Sequence, residues 1–180
     1  KKVFENQEID DLCKALGVKL NSPHDISNLR YEKIIIMTDA DVDGAHIASL
    51  LIALFHTRLP KIIEEGHLFI AAPPLYKISY KDEIYYANSD EEKETILEKL
   101  SSSMDKIQIS RFKGLGEMNP SQLKETTMDI KKRRLIQISL NLSLLEETNE
   151  LVDNLMGKNP EYRFNFISKN AKSLDNSYIS

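Results

Sequence analysis

The sequence predicts an α/β fold, and three observations carry that prediction. The run Lys33 to Thr38 holds three consecutive isoleucines, the pattern of a strand covered on both faces of a sheet. An acidic turn follows, Asp39-Ala40-Asp41-Val42-Asp43-Gly44, and beyond it apolar residues recur at helical spacing. The order of strand, glycine-containing loop and helix is read again from Lys106 onward, with Asn119-Pro120 and Gln122 opening the helix.

The elements are read in chain order. Val3, Ile9, Leu12, Cys13 and Leu16 recur at spacings near three and four before Gly17, which predicts a helix over Lys1 to Leu16. A polar connection, Asn21 to Asn28, leads to the isoleucine strand. Downstream of Gly44, residues from Ile47 through Ile63 keep the helical period, with Pro60 as a kink or junction and Gly66 as the end. His67 to Ala72 reads as a second strand whose ladder Pro73-Pro74 blocks. Leu75 to Tyr80 and Ile84 to Ala87 flank Lys81-Asp82-Glu83 as a hairpin.

Ser89, with Glu92 three residues on, makes a capping box for a helix through Leu100. Its apolar positions, Ile96, Leu97 and Leu100, are sparse, as on an outer helix. Lys106 to Phe112 alternates like a strand, the loop Lys113 to Met118 follows, and Asn119-Pro120 with Gln122 caps the next helix. Arg134 to Leu140 reads as a strand, and the apolar residues from Leu142 to Met156 as a helix closing at Gly157. Asn159-Pro160 starts one more helix, and a polar end is expected to fray.

Composition narrows the class. At 180 residues and 41% apolar content the chain can bury a core and reads as a soluble globular protein. The longest mostly apolar stretch, Ala45 to Leu59, is broken by polar residues and falls short of the roughly 20 residues a bilayer demands. Lys1 stands first, and Lys1 to Leu20 lacks the order of a signal peptide, so a fragment without an export signal is expected. The single cysteine, Cys13, supports neither an internal disulfide nor a metal cluster and fits a reducing cytoplasm. A net charge of -4 argues against nucleic-acid binding through bulk charge, so any DNA contact must be local.

Alternate residues on an extended segment point the same way, so Asp39, Asp41 and Asp43 could project three carboxylates toward one site beyond the sheet's carboxyl edge. Such oxygen ligands suit magnesium, and a divalent ion relieves their mutual repulsion. Two other readings stand beside this one. The turn could be a helix cap with Asp43 as N-cap, or a calcium loop of the EF-hand type, although Leu50 occupies the place of the bidentate Glu. His46, at the start of the helix, could meet a phosphate or be structural. Arg111, Lys113, Gly114 and Gly116 combine cationic donors with residues that admit a ligand, and Glu117 limits the positive excess. Lys131-Lys132-Arg133-Arg134, the densest basic run, could touch a DNA backbone or be merely solvated.

Longer motifs point further. MTDADVDGAHI at Met37 to Ile47, APPLYK at Ala72 to Lys77 and RFKGLGEMNPSQLKETTMD at Arg111 to Asp129 resemble the B subunits of bacterial type IIA topoisomerases. LMGKNPEYRFNFISKNA, Leu155 to Ala171, is similar to the C-terminal tail of those subunits. Within the family these motifs look nearer the topoisomerase IV branch than the gyrase branch. One departure is Asp129-Ile130, where the family often has Asp-Pro.

The resemblance implies a Toprim domain, a Rossmann-like α/β sheet flanked by helices. That domain would be partial over residues 1–140, its first strand and catalytic glutamate lying upstream. A helical C-terminal tail over residues 141–171 and a flexible end over residues 172–180 would follow. The resemblance further implies that Asp39 and Asp41 bind a catalytic Mg2+, that Asp41 shares a second ion with the missing glutamate, and that Asp43 assists. Mn2+ or Ca2+ could substitute in binding. His46 would touch DNA near the cleavage position, Lys113 its backbone, and Arg163 would make another DNA contact. ATP would bind upstream of this sequence. The nucleophilic tyrosine would come from an A subunit in an A2B2 heterotetramer acting on double-stranded DNA, with no membrane. A primase or nuclease with the same acidic logic, or a non-catalytic DNA-gate module, are the alternatives.

Overall fold

Asn6 opens the first helix, α1 (Gln7–Leu16), by accepting the Ile9 N–H, and Cys13 and Leu16 turn inward before Gly17 closes it. The computed structural model describes residues 5–39, 41–100 and 107–171. The first four residues of the predicted N-terminal helix, Ala40 of the acidic turn, Lys106 of a predicted strand and the expected frayed end at 172–180 lie outside them.

β1 (Ile34–Ile36) is the isoleucine strand, with Ile34 and Ile36 buried. α2 (Val42–Arg58) and α3 (Pro60–Glu64) carry the chain to β2 (Leu68–Ala71), which pairs with β1 in parallel, Ile34 opposite Leu68 and Ile36 opposite Ile70. A parallel pair requires such a crossover. Leu59 ends α2 and opens α3, and Pro60 sits in the first turn of α3, so of the kink or junction anticipated there it is the junction between two helices. Phe55, Leu59, Ile62, Ile63 and Leu68 are fully buried on these elements.

Pro73 and Pro74 lack the N–H groups that would extend the β2 ladder, and the chain leaves the first sheet there. β3 (Tyr76–Tyr80) and β4 (Glu83–Ala87) form the hairpin, turning through Lys81, whose φ is 54°. α4 (Asp90–Leu100) follows, and β5 (Ile107–Arg111) pairs with the other edge of β3, giving the antiparallel order β4-β3-β5. Ile96, Leu97 and Leu100 of α4 pack against the buried Tyr76, Ile78 and Ala87 of this second sheet. The start of α4 refines its anticipated box. Ser89 Oγ accepts the Glu92 N–H at 3.2 Å, but the Glu92 carboxylate takes the N–H and side-chain amide of Asn88, at 2.8 and 2.9 Å.

At α5 (Pro120–Leu123) the box is reciprocal. Asn119 accepts the Gln122 N–H at 2.9 Å, and Gln122 accepts the Asn119 N–H at 3.0 Å. α5 runs into a π-helical turn, Lys124–Met128, where the Thr126 and Thr127 hydroxyls donate back to the carbonyls of Gln122 and Leu123. β6 (Leu135–Gln137) then pairs antiparallel with β2, completing the order β1-β2-β6. The fold is α/β, and among the described residues the strands form two three-stranded sheets.

Contacts divide the chain between Ser139 and Leu140. The second unit holds a short 3-10 turn, Leu142–Leu144, then α6 (Leu145–Met156) and α7 (Pro160–Asn170), which Asn159 caps through the Glu161 N–H. Among the described residues no helix is long and apolar enough to cross a membrane.

Candidate metal centre

The carboxyl end of β1 leads through Met37 and Thr38 to Asp39, and Asp41 then caps α2. Asp41 has extended backbone, φ -118° and ψ 179°, and its Oδ1 accepts the Gly44 N–H at 2.7 Å. Two expectations change as a result. The cap is Asp41 rather than Asp43, and the extended alternation across three aspartates stops at Asp41, because Asp43 already lies in the first helical turn. The physical reason is the helix start: its leading N–H groups lack helical partners, and a carboxylate one position before Val42 satisfies one of them. Asp43 there meets the positive end of the helix dipole.

Gly44 contributes space as well as that N–H. It is buried inside the first turn of α2, and a Cβ at that position would stand 2.1 Å from the Asp39 carbonyl oxygen. The glycine lets α2 approach the Asp39 backbone. From the other side comes the loop after β5. The Leu115 N–H donates to Asp39 Oδ1 at 2.7 Å, and a Cβ on Gly114 would stand 3.0 Å from Asp39 Cγ. That loop has its own scaffold: the Glu117 carboxylate accepts the Lys113 N–H at 2.9 Å, and Gly114 O accepts the Glu117 N–H at 3.2 Å. Phe112 and Met118, both buried, anchor its ends beside Pro73 and Pro74.

A carboxylate offers roughly four lone-pair sites. Asp39 and Asp41 each use an oxygen on a backbone N–H and retain capacity for a cation. Both are exposed, and such hard donors suit magnesium, which keeps several waters and takes one or two carboxylates. Among the described residues no three His, Cys, Asp or Glu side chains form a metal-holding group. Two such carboxylates can supply part of a magnesium site, not a closed cage.

His46 is exposed in the second turn of α2, and Lys113 is exposed on the loop whose backbone binds Asp39. Arg163 lies in the second unit, where its Nη1 donates to the carbonyls of Leu155 and Gly157 and so closes the end of α6. In the basic run, Lys132 pairs with Glu125, and Arg134 pairs with Glu92 at 3.4 Å. The Arg111 guanidinium lies 5.9 Å from the centre of the Tyr76 ring. Leu115 is the residue that sequence reasoning missed. A backbone donor has no side-chain signature, and the one trace was apolar spacing of three at Phe112, Leu115 and Met118.

Residues 2–73 match the Toprim domain model, and residues 104–168 match the carboxyl terminus of the DNA gyrase B subunit. Those two matches stand in the order of the structural elements just described. The chain belongs to the B-subunit family of type II DNA topoisomerases. It is 54% identical, over 94% of its length, to the B subunit of DNA topoisomerase 4 from Rickettsia bellii, and 51% identical, over 95%, to the protein of the same name from Caulobacter vibrioides. The B subunit of DNA gyrase from Spiroplasma citri is 47% identical over 97% of the chain. The chain spans about a quarter of the length of these relatives, covering 26%, 24% and 27% of them. A solved structure of the Plasmodium falciparum topoisomerase II DNA-binding, cleavage and re-ligation domain superposes with a TM-score of 0.69 at 25% identity. That likeness covers 87% of this chain and 21% of the other.

Proposed function

We propose that this chain supplies the magnesium-binding half of the centre that cleaves and reseals both DNA strands in an ATP-dependent type IIA topoisomerase, most closely topoisomerase IV. The observation supporting this reading is the meeting of two distant motifs at one carboxylate. Asp39, from the acidic turn, accepts a hydrogen bond from Leu115, 76 residues further on.

Asp39 and Asp41 hold the ion in this reading, Asp43 assists from the first turn of α2, and a glutamate from outside this sequence completes the set. Bound there, Mg2+ would stabilise charge on the scissile phosphate and the leaving 3′-oxygen, and Mn2+ or Ca2+ could occupy the same oxygen ligands. The Leu115 N–H orients the Asp39 carboxylate, and the Gly44 N–H orients that of Asp41. His46 presents its imidazole to DNA beside the acidic turn, and Lys113 offers the backbone a sequence-independent charge. Arg163 contributes a further phosphate contact through donors not turned onto α6. The nucleophilic tyrosine comes from an A subunit in an A2B2 heterotetramer, ATP binds elsewhere in the B subunit, and the assembly works on double-stranded DNA in the cytoplasm.

The test is the complete B subunit reconstituted with its A partner, comparing wild type with Asp41→Asn at fixed magnesium. Cleavage and decatenation are expected to fall by about 100-fold or more. Unchanged activity overturns the metal assignment. Supercoiling assayed beside decatenation separates the two branches, a supercoiling activity pointing to gyrase.

A further inference from the structure

We infer that the Gly114-Leu115 peptide is a positioning device for the Asp39 carboxylate, Gly114 clearing the space it occupies and the Leu115 N–H fixing its direction. This rests on Asp39 being a metal ligand. Gly114 has φ -164° and ψ 170°, extended backbone that any residue adopts, so conformation does not demand a glycine here. Space does. A Cβ at Gly114 would stand 3.0, 3.1 and 3.2 Å from Cγ, Oδ1 and Oδ2 of Asp39. At Gly116, in the same loop, nothing lies within 4 Å of the corresponding point.

The two glycines thus differ in kind. The Asp39 backbone is confined, because Gly44 lies against its carbonyl, and the donor is confined, because Glu117, Phe112 and Met118 hold the loop. The carboxylate itself is the movable part. A methyl group at position 114 forces it to shift by a few tenths of an ångström and so strains the 2.7 Å bond from Leu115, while the fold around it stays in place. Hydrogen bonds to an ionised acceptor are among the stronger ones, and residues that orient a metal ligand set its affinity.

Mn2+ serves as the probe, in the complete B-type chain without nucleotide, its free fraction read by electron paramagnetic resonance. Hydrogen exchange at the Leu115 amide is the second readout. Gly114→Ala is expected to weaken Asp39-dependent Mn2+ binding by about tenfold and to speed Leu115 exchange by about tenfold. Gly116→Ala is expected to do neither. Asp39→Ala abolishes that Mn2+ binding and the Leu115 protection, and adding Gly114→Ala to it changes neither further. Where Mn2+ binding depends on Asp39, Gly114→Ala with wild-type Mn2+ affinity overturns the inference, whatever its exchange rate. Should wild-type Mn2+ binding not depend on Asp39, the metal reading fails by itself. Leu115 exchange then decides the contact: faster in both Gly114→Ala and Asp39→Ala upholds it, unchanged in both overturns it.

Discussion

Asp41 combines two roles that substitution can separate. Its side chain caps α2 through the Gly44 N–H, and its charge is proposed for the metal. Asn caps a helix about as well as Asp, whereas Ala forfeits about 1 kcal/mol. In chemical denaturation, Asp41→Asn is expected to match wild type within a few tenths of a kcal/mol, and Asp41→Ala to lose about 1 kcal/mol. Equal losses in the two variants would refute the cap. Gly44→Ala belongs to a harsher class, because the methyl would meet a backbone oxygen at 2.1 Å rather than a movable side chain. It is expected to cost about 3 kcal/mol, the upper part of the range for overpacking, and a loss below about 1 kcal/mol would show that α2 can shift away. The aspartates are visible in the sequence as a period of two. The helix start at Val42 takes Asp43 off that period, and this follows from capping rather than from spacing.

At the scale of elements, the anticipated starts and stops form where a side chain meets its own neighbouring backbone. Asn119 and Gln122 form the box expected of them, and Asn119→Ala is predicted to cost about 1 kcal/mol by thermal or denaturant unfolding. At α4 the acidic partner is displaced by one residue, and this has a pH consequence. Hydrogen bonds from the Asn88 side chain and backbone hold the Glu92 carboxyl below its ordinary value of 4.5, with a smaller contribution from Arg134. A carboxyl lowered on folding adds stability that is fully present above the ordinary value and is lost as pH falls through the folded value. Glu92→Gln keeps an acceptor but takes up no proton. Its stability profile is expected to be flatter than that of wild type as pH falls below 4.5, measured by denaturant unfolding at a series of pH values. Superimposable profiles would count against the shifted carboxyl. Boundaries read less well than elements: the strand anticipated over Lys33 to Thr38 is Ile34–Ile36. An apolar run marks residues that fit a strand, whereas the partner β2 decides how many of them pair.

For the molecule as a whole, two sheets imply two places where a cavity is costly. Leu68 on β2 and Ile78 on β3 each have 0% exposure. Leu68→Ala and Ile78→Ala are each expected to destabilise the protein by about 2–5 kcal/mol, readable as shifts in the unfolding midpoint. A loss under about 1 kcal/mol in either would mean that its core collapses onto the gap. The prolines at 73 and 74 read in the sequence as the end of a ladder, which they are, but not as the seam at which the chain leaves one sheet to build another. That distinction lies in the partners: β2 takes β1 and β6, while β3 takes β4 and β5.

By itself the sequence determined the order of the elements, the acidic turn after the isoleucine strand, several helix caps and the family. Each of these is written in neighbouring residues or in unbroken motifs. Tertiary structure decided which strands share a sheet, which aspartate begins α2 and how the loop at Lys113 to Glu117 reaches Asp39. Pairing across tens of residues depends on where whole segments pack, and the Leu115 N–H is a group that nearly every residue carries. Only its position beside the carboxylate, with Gly114 leaving the space, makes it part of the proposed centre.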